Sequence, residues 1–236
     1  MRDISRGKPL ALFLDFDGTL VELAASPDAI EPRAGLGQAL GKLAGRLEGR
    51  CAIVSGRAIA DLENHVGALA VAVAGSHGSD VRNAAREPLG AGPAGLPDAA
   101  ERALRKFATA EGLNFEEKPH GGALHYRTAP EKEEATRAFA RDLAEEHGWA
   151  VQHGKCVVEL VSHGANKGGA VTCFMSAPPF EGAVPVFVGD DLTDEAGFRV
   201  CRELGGTAIL VGEERESQAE HRLPDVAAVH RWLELS

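Results

Sequence analysis

Positive charge is scarce in this sequence. Its 236 residues carry 25 Lys and Arg against 35 Asp and Glu, a formal net charge of −10. A protein that grips a nucleic-acid backbone wants a basic stripe, so nucleic acid is not expected as a partner. Long apolar runs are missing as well, none approaching the ~18–20 residues of a membrane-spanning helix. The first such run, Leu10–Leu14, is too short for a secretory h-region and ends in acids. Neither membrane nor leader is expected, and the location implied is cytoplasmic. Cysteine is limited to Cys51, Cys156, Cys173 and Cys201, without CxxC spacing and among apolar neighbours. These read as reduced core residues, not as a zinc site or a disulfide framework. With 28 Gly and 12 Pro, the composition stays below the level that signals disorder. No repeat or low-complexity tract is present.

What is there is a globular chain, 44% hydrophobic and long enough for one or two domains. Short apolar runs stand at Leu10–Leu14, Cys51–Val54, Val71–Ala74, Val184–Val188 and Ala208–Val211. Between them lie helical patterns, such as the stripe Leu36, Leu40, Leu43, Leu47 and the stretch Thr193–Leu204. Continuous apolar strands alternating with helices predict a parallel sheet covered on both faces. The middle differs. Residues 79–98 are rich in Gly, Ala and Pro and read as loop. A helix is predicted over 98–111, strands at Leu113–Lys118 and Ala123–Arg127, a helix at Pro130–His147, and strands at Trp149–His153 and Lys155–Val161. This α+β pattern reads as a domain inserted into the first: core 1–77, insert 78–161, core again 162–236. Trp149 and Trp232 read as packing residues, and the chain as a monomer.

Ligands of an open parallel sheet bind beyond the carboxyl ends of its strands. There the sequence places Asp15-Phe16-Asp17-Gly18-Thr19, Ser55-Gly56-Arg57, Gly75-Ser76-His77-Gly78 and Gly189-Asp190-Asp191-Leu192-Thr193-Asp194-Glu195. Asp15 and Asp17, two apart in an extended segment, point the same way. Like charges that close are costly, and Mg²⁺, which favours carboxylates, waters and phosphate, relieves the repulsion. Asp190, Asp191 and Asp194 offer further ligands. Taken alone, Asp17-Gly18 reads equally well as a turn. The Thr19 and Ser55 hydroxyls suit phosphate oxygens, or else helix N-caps. Lys167, in Asn166-Lys167-Gly168-Gly169 ahead of a helix, can offset charge on a carboxylate and a phosphoryl group. Standing alone it would read as a solvated lysine, and the GxxxxGK[ST] spacing of a P-loop is absent.

In this order the four segments Asp15–Thr19, Ser55–Arg57, Asn166–Gly169 and Gly189–Glu195 resemble the haloacid dehalogenase-like phosphotransferases. Within them, Gly75–Gly78, Glu116–Pro119 with Ala123–Arg127, Gly154–Leu160, and Pro224-Asp225-Val226 with Trp232-Leu233 are similar to the trehalose-6-phosphate phosphatase family. The resemblance implies an α/β fold: a Rossmann-like core with a parallel sheet, plus an inserted αββαββ cap that closes over a sugar. It implies Mg²⁺-dependent hydrolysis of a small-molecule sugar phosphate, trehalose 6-phosphate. By that likeness Asp15 is the nucleophile, and Asp17 the general acid and then base. Mg²⁺ is held by Asp15, the Asp17 backbone carbonyl and Asp190, with Asp191 or Asp194 in support. Thr19, Ser55 and Lys167 hold the phosphoryl group. Gly56, Arg57 and His77 line the substrate, and Glu116, Lys118, Arg127, Lys155 and Glu159 grip the distal glucose.

From alternation alone, those last charges read as cross-strand ion pairs on a wet sheet face. Two departures from the family pattern stand nearby: Glu117 where aspartate is common, and Val161-Ser162-His163 where an Arg/Lys-Pro pair is common. Two other readings stay open on sequence. One is a phosphatase of another sugar phosphate, of sucrose-phosphate or mannosyl-phosphoglycerate type. The other is a non-catalytic sugar-phosphate sensor.

Overall fold

The computed structural model describes residues 7–24, 29–90, 95–118, 120–154, 156–162 and 165–235. The chain divides into two compact units, Met1–Gly92 with Asn166–Ser236 and Pro93–Ala165. In chain order the first unit begins with β1 (Leu10–Leu14), α1 (Leu36–Arg46), β2 (Cys51–Val54), α2 (Ile59–Val66), β3 (Ala72–Gly75) and β4 (Asp80–Arg82). The second unit holds α3 (Asp98–Glu111), β5 (Asn114–Lys118), β6 (Gly121–His125), α4 (Glu133–His147), β7 (Trp149–Gly154) and β8 (Val157–Ser162). The first unit then resumes with α5 (Lys167–Met175), β9 (Val184–Gly189), α6 (Glu195–Glu203), β10 (Thr207–Val211), β11 (His221–Leu223) and α7 (Val226–Leu233).

The first unit is built on a seven-stranded sheet in the order β11-β10-β9-β1-β2-β3-β4, parallel except for the β3–β4 pair. Its central strands are apolar throughout because both faces are covered. On β1, Leu12 and Leu14 face one cluster with Leu36, Leu40 and Leu43 of α1, Leu62 of α2 and Val229 and Leu233 of α7. Ala11 and Phe13 face the opposite cluster, with Val171 and Phe174 of α5 and Phe198 and Cys201 of α6. There the Phe13 ring lies 5.6 Å from that of Phe180 and 5.9 Å from that of Phe174.

The second unit is a four-stranded antiparallel sheet, order β5-β6-β8-β7, with α3 and α4 against one face only. Leu124, Val158, Leu160 and Trp149 pack on that face with Leu104 and Leu143 from the helices. The Phe107 and Phe139 rings stack at 4.0 Å between α3 and α4. A one-sided sheet keeps the alternation that the core strands lack.

Several expectations are corrected. Residues 79–98, read as loop, contain β4, which pairs antiparallel with β3 and turns Val81 into the core. The first unit therefore runs to residue 92, past the expected boundary at 77, because that strand belongs to its sheet. The strand expected at Ala123–Arg127 is Gly121–His125, since Ala129 N–H closes a turn on the Tyr126 carbonyl at 3.0 Å. Cys51 and Cys201 are core residues as read, but Cys156 and Cys173 are only half-buried; all four are free thiols. Among the described residues, no helix is long and apolar enough to cross a membrane.

Phe13 is fully buried between two rings, so Phe13→Ala should cost about 3–5 kcal/mol, read from urea unfolding monitored by circular dichroism. A loss below about 1 kcal/mol would contradict this packing.

Candidate active site

Four groups gather at the carboxyl ends of the central strands. β1 and β9 are parallel neighbours, so Asp15, just past β1, and Asp190, just past β9, lie side by side. The Asp15 N–H donates to the Val188 carbonyl at 2.9 Å, which continues the ladder into the site. Asp194 ends the short 3₁₀ turn Leu192–Asp194. Lys167 opens α5, whose N-cap Asn166 accepts from the Gly169 N–H at 2.9 Å. The Lys167 Nζ donates to Asp15 Oδ1 and to Asp194 Oδ1, both at 2.6 Å, and all three side chains are buried.

The electrostatics follow from that burial. Desolvation pushes the Asp15 carboxyl up to about 7; Lys167 pulls against this, and Asp190 adds to it. Asp194 is raised to about 7, by desolvation and then by Asp15. Asp190 is raised to about 6, by desolvation and then by Asp194. Burial alone would discharge Lys167, but the two carboxylates reverse this and hold its pKa above the ordinary lysine value. One ammonium therefore faces three carboxyl groups in a dry place.

A divalent cation fits this surplus. Asp15, Asp190 and Asp194 each offer an oxygen within 4.8 Å of the others. Asp190 Oδ1 is buried with no hydrogen-bond partner among the described residues. The Thr19 hydroxyl is likewise buried and unpartnered among them. Gly18, at φ 78°, makes the turn between Asp17 and Thr19, and a Cβ there would collide with the Asp190 carboxylate. Only glycine meets both conditions.

Asp17 is held differently. Arg57 Nε and Nη2 donate to its two oxygens at 2.7 and 2.8 Å, a bidentate fork, and Nη1 donates to Asp61 at 2.7 Å. The Arg57 N–H donates to Ser55 Oγ at 3.1 Å, and the His77 N–H donates to the Ser55 carbonyl at 3.0 Å. His77 has φ 56° on the 3₁₀ turn after β3, and its ring closes over Gly56, where a Cβ would leave it no room. Asp15, Asp17, Thr19, Ser55, Gly56, Arg57, His77, Lys167, Asp190 and Asp194 thus all stand on loops, short turns or a helix start at one edge of the seven-stranded sheet.

In the second unit, the face without helices carries the polar residues. Glu116, Ala123, Glu159 and Gln152 lie in one row across the four strands. Glu116 pairs with His125 at 2.8 Å, and Lys118 pairs with Glu159.

A model of the trehalose-phosphatase family matches residues 13–227. The chain belongs to that family. It is 38% identical over 233 residues to a trehalose-6-phosphate phosphatase of Escherichia coli strain K12, covering 95% of this chain and 85% of that one. It is 37% identical over 205 residues to a probable trehalose-phosphate phosphatase of Sinorhizobium fredii, covering 86% and 77%. Among solved structures it is similar to the C-terminal domain of a C. albicans trehalose-6-phosphate phosphatase, with TM-score 0.76, 24% identity and coverage of 99% and 93%. The fold is the haloacid dehalogenase-like α/β core with a second α+β unit, and the family's members are phosphoric monoester hydrolases.

Seen as a trehalose-phosphatase family member, the chain shows where residue-level expectation departs from geometry. Asp191 stands apart from the acid cluster: its Oδ1 accepts from the Leu192 N–H at 2.7 Å, and its own N–H donates to Asp194 Oδ2 at 2.9 Å. It caps the turn, a use of aspartate that sequence spacing does not separate from ligation. Arg127 is exposed beyond the end of β6 rather than on its polar row. Lys155 lies outside the described residues. Gln152 and Asp61 were missed. Gln152 sits two residues past an alanine in an apolar-rich strand, where only cross-strand register sets it beside Glu159. Asp61 carries a weak signal, four residues after Arg57 on a helix.

Replacing Lys167 by Met removes the counterion of two buried carboxylates. The variant should lose about 3–5 kcal/mol of stability in denaturant titration at neutral pH. Wild-type stability in that variant would show that the carboxylates are not charged together.

Proposed function

We propose that this chain is a Mg²⁺-dependent phosphatase that hydrolyses trehalose 6-phosphate to trehalose and phosphate through a phosphorylated Asp15. The observation that carries this reading is the buried Lys167 bridging Asp15 and Asp194, together with an Asp190 oxygen and a Thr19 hydroxyl that have no partner among the described residues. Phosphoryl transfer needs positioning and charge neutralisation more than elaborate covalent chemistry.

Asp15 attacks phosphorus with a carboxylate oxygen, and the bond from phosphorus to the sugar oxygen breaks. Asp17 serves as the general acid toward that leaving oxygen. Water then attacks the acyl phosphate, Asp17 takes its proton, and Asp15 is released as a carboxylate. Splitting one difficult hydrolysis into two displacements lowers each barrier. Arg57 holds both Asp17 oxygens, so at least one is given up during proton transfer; the fork fixes the direction in which Asp17 points. Lys167, Thr19 and Ser55 supply the donors for the phosphoryl oxygens. Asp15 and Asp190 would hold Mg²⁺, which when bound neutralises phosphoryl charge. Asp194, with one oxygen on Lys167 and the other on the Asp191 N–H, orients the lysine. On the second sheet, Glu116, Lys118 and Glu159 offer donors and acceptors suited to sugar hydroxyls, with Arg127 and Lys155 as further contributors.

Phosphate release from trehalose 6-phosphate, glucose 6-phosphate and sucrose 6-phosphate tests the substrate. The trehalose ester should give the highest kcat/KM, and chelation of metal should abolish turnover. Asp15→Asn should bring release to background; retained turnover would sink the nucleophile assignment. Lys118→Ala and Glu159→Ala should lower kcat/KM about 10-fold or more for trehalose 6-phosphate and leave a small aryl phosphate within about 2-fold, because discrimination resides in that ratio. Equal losses on both substrates would remove the sugar-reading role.

A further inference from the structure

Asp190 is the member of the acid cluster that takes no hydrogen bond from Lys167. Its Oδ1 has no hydrogen-bond partner among the described residues, while Asp15 and Asp194 share the Lys167 ammonium. Asp194 and Asp191 repel that carboxylate, so where its backbone is held bears on where it points. Both carbonyls of that stretch are taken by one side chain. Arg215 Nη2 donates to the Asp191 carbonyl at 3.0 Å and, more weakly, to that of Asp190 at 3.4 Å. Arg215 stands between β10 and β11, well away in sequence. Its Nη1 pairs with Glu195, the first residue of α6, and donates to the Glu216 carbonyl at 3.0 Å.

Glu195 closes the ring. Its carboxylate also accepts from Ser217 Oγ at 2.8 Å and from the Gln218 N–H at 2.7 Å. Ser217 Oγ accepts in turn from the Ala219 N–H at 3.0 Å. The planar guanidinium reaches three carbonyls and a carboxylate at once, which a lysine ammonium on one flexible stem does not. The turn thus has two restraints: the Asp191–Asp194 capping box from within, and Arg215 from outside.

We propose that Arg215 and Glu195 are positioning residues that clamp the Asp190–Asp191 backbone and so hold the Asp190 carboxylate in place for a divalent cation. This rests on the reading of Asp190 as a cation ligand. It assigns a role in metal affinity to two residues that do not touch the metal, the substrate or the phosphoryl group.

The test measures Mg²⁺ binding by isothermal titration calorimetry on the whole chain, beside the melting temperature. Supports of metal ligands are worth about 10–100-fold in affinity, so Arg215→Met and Glu195→Gln should each weaken Mg²⁺ about 10-fold or more. The double variant should be no weaker than the worse single one, since the two act through one clamp. Raising Mg²⁺ should restore turnover in both, which a loss of general fold integrity would not allow. Arg215→Lys, which reaches one carbonyl at most, should lie between wild type and Arg215→Met, and it carries the test if the methionine variant does not fold. Unchanged Mg²⁺ affinity in these variants would reduce the ring to a tie between residues 215–218 and α6, and overturn the proposal. Asp190→Asn separates the two levels. If it binds Mg²⁺ as wild type does, the ligand reading falls and the clamp with it. If it loses binding while Arg215→Met keeps it, the clamp alone falls.

Discussion

The site depends on one ammonium group set between two buried carboxylates. Lys167 reaches Asp15 and Asp194 at the same distance, 2.6 Å, in a place from which water is excluded. An isolated charge there would be neutralised by a shifted pKa, so each member needs the others. Three carboxyl groups against one ammonium leave the balance acidic, and the raised proton affinities of Asp15, Asp190 and Asp194 come first from burial and then from that crowding. The proposed Mg²⁺ would complete what the chain leaves incomplete. Stability and chemistry draw here on the same groups.

The fold answers that need by topology. β1 and β9 are adjacent and parallel, which brings two acidic strand ends together. The N-terminus of α5 delivers the lysine beside them, and the turn before α6 delivers Asp194. Burying both faces of the central strands keeps this edge rigid, with Leu12 and Leu14 toward one cluster and Phe13 toward the other. The second sheet solves the opposite problem. Its helices cover one face only, so the other is free to carry Glu116, Lys118, Gln152 and Glu159.

Much of this was legible in the amino-acid order. The strands β1, β2, β9 and β10 stand out as continuous apolar runs because a doubly covered strand has no polar alternation to blur it. The glycine-rich acidic segments that follow them mark the sheet edge. Legibility fails where a residue has two structural uses. Asp191 reads as a ligand from its spacing, and the structure adds a second use, as the cap of the turn that carries Asp194. β4 hid in a Gly- and Ala-rich stretch because a three-residue edge strand has too short a period to register. Arg127 looked like part of a strand that in fact ends at His125.

The sequence by itself determined the fold class, the main strands of the core and insert, and the residue types collected at the strand ends, because these depend on local periodicity and on chemistry carried by contiguous motifs. Only the tertiary structure decided the pairings: Lys167 on Asp15 across 152 positions, Arg57 on Asp17 across 40, and Arg215 on the carbonyls beside Asp190. Such partners are set by which strands lie side by side and by where a loop returns to the sheet edge. Distance along the chain carries no record of either.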